Sequence, residues 1–212
     1  MEGTCLYRNR EDAGKQLGKS LEKYRHLDPI ILGIPRGGME VAFHVAKHLD
    51  AQLSVIISQK LPHLLHPEYG IGAVCEGNIT YIPKHIKINS SIINFISDKV
   101  RAEIAQKKLI YHKEDPIPAL KNRLVIIVDD GIATGVTMVP AIRYCHKMHA
   151  AKIIVAAPVS GLDLNPDLED ANEIHVLHQP KDFETVGSYY KDFTQLTDKH
   201  VLFYLKAGHV FH

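Results

Sequence analysis

Tryptophan is absent from this 212-residue chain, and cysteine is scarce, at three residues. Cys5, Cys75 and Cys145 are odd in number, far apart, and include no Cys-X-X-Cys pair. That pattern excludes a disulfide framework and suits a reducing compartment. An excess of charge is missing too: 25 Lys and Arg against 24 Asp and Glu leave a formal net charge of +1. A protein that coats a polyanion is normally strongly basic, so no nucleic-acid partner is expected, although a small anionic ligand remains compatible with the balance. The apolar run at 153–159 is far short of the roughly 20 residues that cross a bilayer. The opening MEGTCLYRNRED is charged and has no apolar signal core. A cytoplasmic protein with no membrane partner is the expectation.

What is present is ordinary for a globular chain: 45% apolar and 23% charged residues. At this length about 70% of the unfolded surface can be buried, so no covalent staple is needed. Neither a repeat nor a Ser/Gly linker divides the chain, which reads as a single domain over 1–212.

Asn9 is a plausible cap for a first helix, in which Ala13, Leu17, Leu21 and Tyr24 share one face. Short apolar runs at 30–34, 53–57, 124–128, 152–157 and 174–177 read as strands. Helices are expected after Gly38, from Asn89 or Ser90 to about Tyr111, over 138–148, and from Thr197 to a stop at Gly208. Residues 73–75 and 79–81 flank Glu76-Gly77-Asn78 as a hairpin, and the Pro- and His-rich stretch 59–70 reads as a long lid loop. Alternating strands and helices predict an α/β, doubly wound, mainly parallel sheet flanked by helices. The terminal segments and the hairpin are extra to that sheet and are expected to cover one of its edges.

The informative stretch is Val128-Asp129-Asp130-Gly131-Ile132-Ala133-Thr134-Gly135-Val136-Thr137. A strand buried on both faces delivers two carboxylates at its C-terminal end, where open α/β sheets bind ligands. Gly131 and Gly135 free the backbone, whose N–H groups can wrap a phosphate together with the Thr134 and Thr137 hydroxyls. Acids beside a phosphate cradle suit a ligand with both a diol and a phosphate, such as ribose 5-phosphate. No GxxxxGK[ST] and no GxGxxG after a strand occurs, which sets aside the Walker loop and the dinucleotide fingerprint.

This stretch resembles the phosphoribosyl-diphosphate (PRPP) motif of the type I phosphoribosyltransferases. Gly33-Ile34-Pro35-Arg36-Gly37-Gly38, Lys60 and the run from Pro67 to Val74 extend the likeness, as does Arg10-Glu11-Asp12-Ala13-Gly14; together they are similar to a less characterised branch of that family. The resemblance implies a hood, contributed by about 1–27 and 180–212, over the acceptor site. It implies that Asp129 and Asp130 hold the ribose hydroxyls and that Gly131, Ile132, Ala133, Thr134, Gly135 and Thr137 hold the 5-phosphate. Arg36, Gly37, Gly38 and Lys60 would take the pyrophosphate, with Asp129, Asp130, Lys60 and Arg36 as the catalytic set. Mg²⁺ is the implied cofactor, held mainly by PRPP and water rather than by a protein cage.

The implied activity is transfer of the 5-phosphoribosyl group from PRPP to a nucleobase-like acceptor, with pyrophosphate leaving and a homodimer as the expected assembly. A PRPP-sensing regulator without catalysis and a sugar-phosphate hydrolase are the alternatives. His63 and His66, in the lid, are candidates for diphosphate contact, and Glu68 for either a general base or a lid anchor. His44 and His48, four apart on a helix, have the spacing of two metal ligands, but they lie opposite its apolar stripe and are expected to face solvent. Replacing both acids by Asn is expected to remove PRPP binding with the melting temperature of the free protein nearly unchanged.

Overall fold

The short apolar runs form the centre of the protein in a computed structural model, which describes residues 5–64, 70–113 and 116–209. Five parallel strands lie in the order β2-β1-β6-β7-β8: β1 (Ile30–Gly33), β2 (Gln52–Val55), β6 (Leu124–Val128), β7 (Lys152–Val159) and β8 (Glu173–His178). Successive side chains of a strand point to opposite faces, and they divide between two cores. Ile31, Ile126, Val128, Ile154 and Ala156 join one, and Ile30, Leu32, Val125, Ile127, Ile153 and Val155 join the other. Both faces must therefore be covered, which is why these strands read as unbroken apolar runs.

On the first face lies α2 (Gly37–Leu49), with α1 (Arg10–Ser20) packed on it; α4 (Met138–Lys147) covers the second. Asn9 caps α1 by accepting from the Asp12 N–H at 2.9 Å, as its side-chain chemistry predicts. The C-terminal α5 (Asp198–Gly208) rests on α2 and β2. A long helix, α3 (Ser90–Tyr111), buries Ile96, Val100 and Ile104 in the first core.

Two expectations from the sequence are corrected. Residues at the start of the presumed loop 59–70 form a strand, β3 (Ser58–Pro62), paired antiparallel with β4 (Gly70–Cys75). The expected hairpin β4–β5 (Ile79–Tyr81) joins it in a separate three-stranded sheet, β3-β4-β5, outside the main one. His44 and His48 are only partly exposed: they lie in the seam between α1 and α2, where the lack of a Cβ at Gly14 and Gly18 makes room for them. A methyl at those positions would stand 2.8 Å from the Cβ of His44 and of His48 respectively. The His48 Nε2 lies 2.5 Å from Glu22 Oε2.

The short helical turn that follows α1, Glu22–Leu27, is tied to edge strand β8 through Glu173, which the Tyr24 hydroxyl, Lys23 and Lys152 hold at a pKa of about 2. A carboxyl depressed by folding adds stability above its ordinary value near 4.5, and that stability disappears as the pH falls toward 2. Glu173→Gln is therefore expected to flatten the acid limb of a melting-temperature profile between pH 4.5 and 2. A variant as acid-sensitive as the parent would show that Glu173 is not a source of that slope.

Candidate functional site

Strand β6 ends at Val128 with no space on either face, so the next two residues emerge at the C-terminal edge of the sheet already sheltered. The Asp130 N–H donates to Asp129 Oδ1 at 2.9 Å, which turns the first carboxylate back on its own chain. Burial lifts the Asp129 carboxyl well above the usual carboxylate range; the charge of Asp130 adds to this, and that of Lys60 opposes it. Asp130 is also raised by burial, but Arg10 pulls it back down. Adjacent acids in different surroundings thus hold their protons unequally.

The Pro-Arg-Gly-Gly turn between β1 and α2 lies directly against this pair, and its peptide Pro35–Arg36 is cis. A Cβ on Gly37 would fall 1.9 Å from Asp130 Oδ2, and one on Gly38 would fall 2.8 Å from both Asp129 Oδ1 and the Val128 carbonyl. Only glycine permits this approach, a reason for the two glycines that is steric before it is functional.

After the acids, the chain turns through 131–137 into α4, with Gly135 at φ +78°. The N–H groups of Ala133, Thr134, Gly135, Val136 and Thr137 find no acceptor among the described residues. Five consecutive donors at the positive end of a helix make a concavity for an anion. The Ser58 hydroxyl donates to the Thr137 carbonyl at 2.6 Å, which pins β3 beside the turn. Lys60, two residues along β3, is thereby brought to the same place.

Lys60, Asp129, Asp130, residues 131–138 and Val186 line one cavity of about 200 Å³. A larger cavity of about 470 Å³ shares Thr134 and Val136 with it but touches neither the acids nor Lys60. Of the residues singled out from sequence, Lys60, Asp129, Asp130, Gly131, Ile132, Ala133, Thr134, Gly135 and Thr137 therefore come together. Gly37 and Gly38 back the acids from outside the cavity. Arg36 does not line it; its charge acts instead on the Tyr111 hydroxyl of α3. His63, half-buried just beyond β3, is not among the lining residues either, and His66 and Glu68 lie outside the described residues.

The sequence gives less warning of the segment that closes over the site. Tyr190 donates to the Asp130 carbonyl at 2.5 Å, and Tyr7, bridged to Tyr190, donates to the Pro158 carbonyl at 2.8 Å. Burial pushes the Tyr190 hydroxyl far up, so it stays a donor. The pair Tyr189-Tyr190 is largely buried, with Tyr189 stacked on Phe183. Val186 covers Gly131, where an added Cβ would meet it at 2.4 Å. Arg10 reaches in from the start of α1, and its Nε donates to Asp130 Oδ2 at 2.7 Å.

A turn with free N–H groups beside two sheltered acids lies at the carboxyl edge of a parallel sheet, the edge where open α/β proteins bind their ligands. The profile of the phosphoribosyl transferase domain matches residues 79–190. Two curated proteins of Mycobacterium tuberculosis, from strains CDC 1551 and H37Rv and both provisionally named phosphoribosyl transferases, are 33% identical over 210 residues. The match covers 96% of this chain and 47% of theirs, so the chain spans about half their length. This chain belongs to the phosphoribosyl transferase family. The crystal structure of TT1426 from Thermus thermophilus superposes with a TM-score of 0.80 at 33% identity, covering 94% of this chain and 97% of that one. A hypothetical protein of Neisseria gonorrhoeae, solved with bound ppGpp, shares the fold at a TM-score of 0.54 and 14% identity, with 98% of each chain covered. Among the described residues no helix is long and apolar enough to cross a membrane.

Proposed function

We propose that this chain is a phosphoribosyltransferase that takes PRPP and passes its 5-phosphoribosyl group to a nucleobase-like acceptor, with release of pyrophosphate. One observation carries the reading: Asp129, Asp130, Lys60 and the five unclaimed N–H groups of 133–137 meet around a single small cavity. The N–H groups hold the 5-phosphate, and the acids accept from the 2- and 3-hydroxyls of the ribose. Lys60 offers a positive charge toward the diphosphate, and the Arg36-Gly37-Gly38 turn closes the other side of the acid pair.

In the reaction, the bond between the anomeric carbon and the diphosphate oxygen breaks, and its electron pair departs with pyrophosphate. A nitrogen lone pair of the acceptor forms the new bond to that carbon. Charge that develops on the leaving group is met by donors already in place, an arrangement worth roughly 3–4 kcal/mol per donor in comparable sites. The two Asp carboxylates are hard oxygen donors of the kind Mg²⁺ accepts, and Mg²⁺ ordinarily combines one or two carboxylates with substrate phosphates. No three His, Cys, Asp or Glu residues gather as a metal cage among the described residues. Bound with PRPP, Mg²⁺ would neutralise the leaving diphosphate.

PRPP with Mg²⁺ at about 100 times its dissociation constant should stabilise the protein by about 2.7 kcal/mol. For a chain of this size that is a rise of roughly 5–11 °C in melting temperature. A panel of nucleobases should then reveal pyrophosphate release with at least one acceptor. No stabilisation, together with no release from any acceptor, would overturn the reading. Ribose 5-phosphate formed without any nucleotide would assign the cradle to hydrolysis instead.

A further inference from the structure

Arg10 is a charged side chain with almost no exposure, 7% against 14% for its partner Asp130. Its Nε donates to Asp130 Oδ2 at 2.7 Å, and its Nη1 donates to the Thr194 carbonyl at 2.8 Å. The face of the guanidinium rests on Phe193, 3.8 Å from the ring centroid. Three fixed contacts leave this side chain one geometry, and one of the three is an acid of the proposed sugar site. The main chain of that acid is held from the same side, through the Tyr190 hydroxyl on its carbonyl.

A carboxylate on a two-torsion side chain can turn either oxygen toward a ligand. With Oδ2 held by Arg10, and Gly37 too near for the carboxylate to swing that way, Oδ1 is the oxygen that Arg10 leaves for a sugar hydroxyl, beside the Asp129 carboxyl with which Asp130 also interacts. We infer that Arg10 is a positioning residue for the ribose: it fixes the rotamer of Asp130 so that the acid accepts from the diol. In doing so it links the sugar site to α1 and to the 193–194 segment. The inference rests on the sugar-site reading above and adds a residue that touches no ligand itself.

The chemistry favours arginine at this place. Its planar fork reaches a carboxylate and a carbonyl at once and stacks on an aromatic ring, while lysine is a point charge that can satisfy one of the two. Other charges face the same spot. Asp129 lies beside Asp130, while Glu40 of α2 and Asp192 are near enough to Arg10 for its charge to be felt at both. Neither Glu40 nor Asp192 shares a hydrogen bond or ion pair with Arg10 among the described residues, so the specific pairing is with Asp130.

The test compares two probes on the intact chain, ribose 5-phosphate and inorganic phosphate, by isothermal titration. Phosphate reports the 133–137 turn alone, and ribose 5-phosphate reports the turn plus the acids. Arg10→Gln should weaken ribose 5-phosphate by about tenfold or more, as loss of a group that orients a ligating side chain does elsewhere. It should leave phosphate binding within about twofold, and Arg10→Lys should fall between Arg10→Gln and the parent. Equal affinity of all three proteins for ribose 5-phosphate overturns the inference. So does a parallel loss of both probes, which marks a general loosening. If Arg10→Gln does not fold, Arg10→Lys decides alone: an unchanged ratio of the two affinities overturns the role, and a fall in that ratio supports it. A parent protein that binds phosphate but not ribose 5-phosphate would instead overturn the sugar site itself, and this inference with it.

Discussion

Replacement of both acids by Asn abolishes PRPP-dependent stabilisation, and the two single variants differ sharply in the free protein. Asp129 is buried with its carboxyl raised toward the neutral form, so an amide of the same shape removes little that folding depends on. The bond it accepts from the Asp130 N–H needs only an acceptor oxygen, which Asn retains, and an amide can also share a hydrogen bond with the Asp130 carboxylate as Asp129 does. Asp130→Asn is a different change, because it leaves the enclosed Arg10 guanidinium without its counter-charge. Breaking a buried pair by removing one partner costs about 3 kcal/mol, or roughly 6–12 °C for a chain of this length. The sequence alone predicts a nearly unchanged melting temperature for the double variant; the Arg10–Asp130 pair instead predicts a drop, carried by Asp130→Asn. Scanning calorimetry of the three variants, with and without PRPP and Mg²⁺, distinguishes these outcomes. Wild-type PRPP stabilisation of Asp129→Asn would remove that acid from the sugar site.

Gly37→Ala is expected to damage the site without changing any group that bears charge. The added methyl would stand 1.9 Å from Asp130 Oδ2 and 3.2 Å from Arg10 Nε, so the carboxylate, the guanidinium or the start of α2 must move. Overpacking of this kind costs about 1–3 kcal/mol in stability. Misplacement of a site group by about 1 Å can cost on the order of 100-fold in rate. Pyrophosphate release should fall by about that factor, with a lower melting temperature in the free protein. Wild-type release would be incompatible with the tight fit of the turn against Asp130.

What the sequence disclosed was contiguous along the chain. Strands β1, β2, β6, β7 and β8 are short apolar runs, and the acids and phosphate turn fall within ten consecutive residues, 128–137. Strand β3 was hidden because Ser58-Gln59-Lys60-Leu61-Pro62 carries only one large apolar side chain, Leu61, into the core, and its strand character comes from pairing with β4. The role of Arg10 is not legible in the sequence, since its partner lies 120 positions away and no local pattern connects them. The seam between α1 and α2 is obscure for a different reason: His44 and His48 have the pattern of a solvent face, and only the two glycines opposite make room to shelter them. Gly14 and Gly18, four apart on one helix, against two histidines four apart on the next, was a signal the sequence did contain.

That seam has a bearing on how the family can vary. Helix α1 begins at Arg10 and α2 begins at Gly37, so both helices start at Asp130, and their mutual spacing is set where Gly14 and Gly18 pass His44 and His48. The alignment of the carboxylate proposed to bind the sugar is therefore calibrated one to two turns away, by residues outside the cavity. Chains that keep every motif residue yet enlarge position 14 or 18 would carry the same apparent active site on a shifted frame. In this fold, inheritance of the motif and inheritance of its geometry are separate matters.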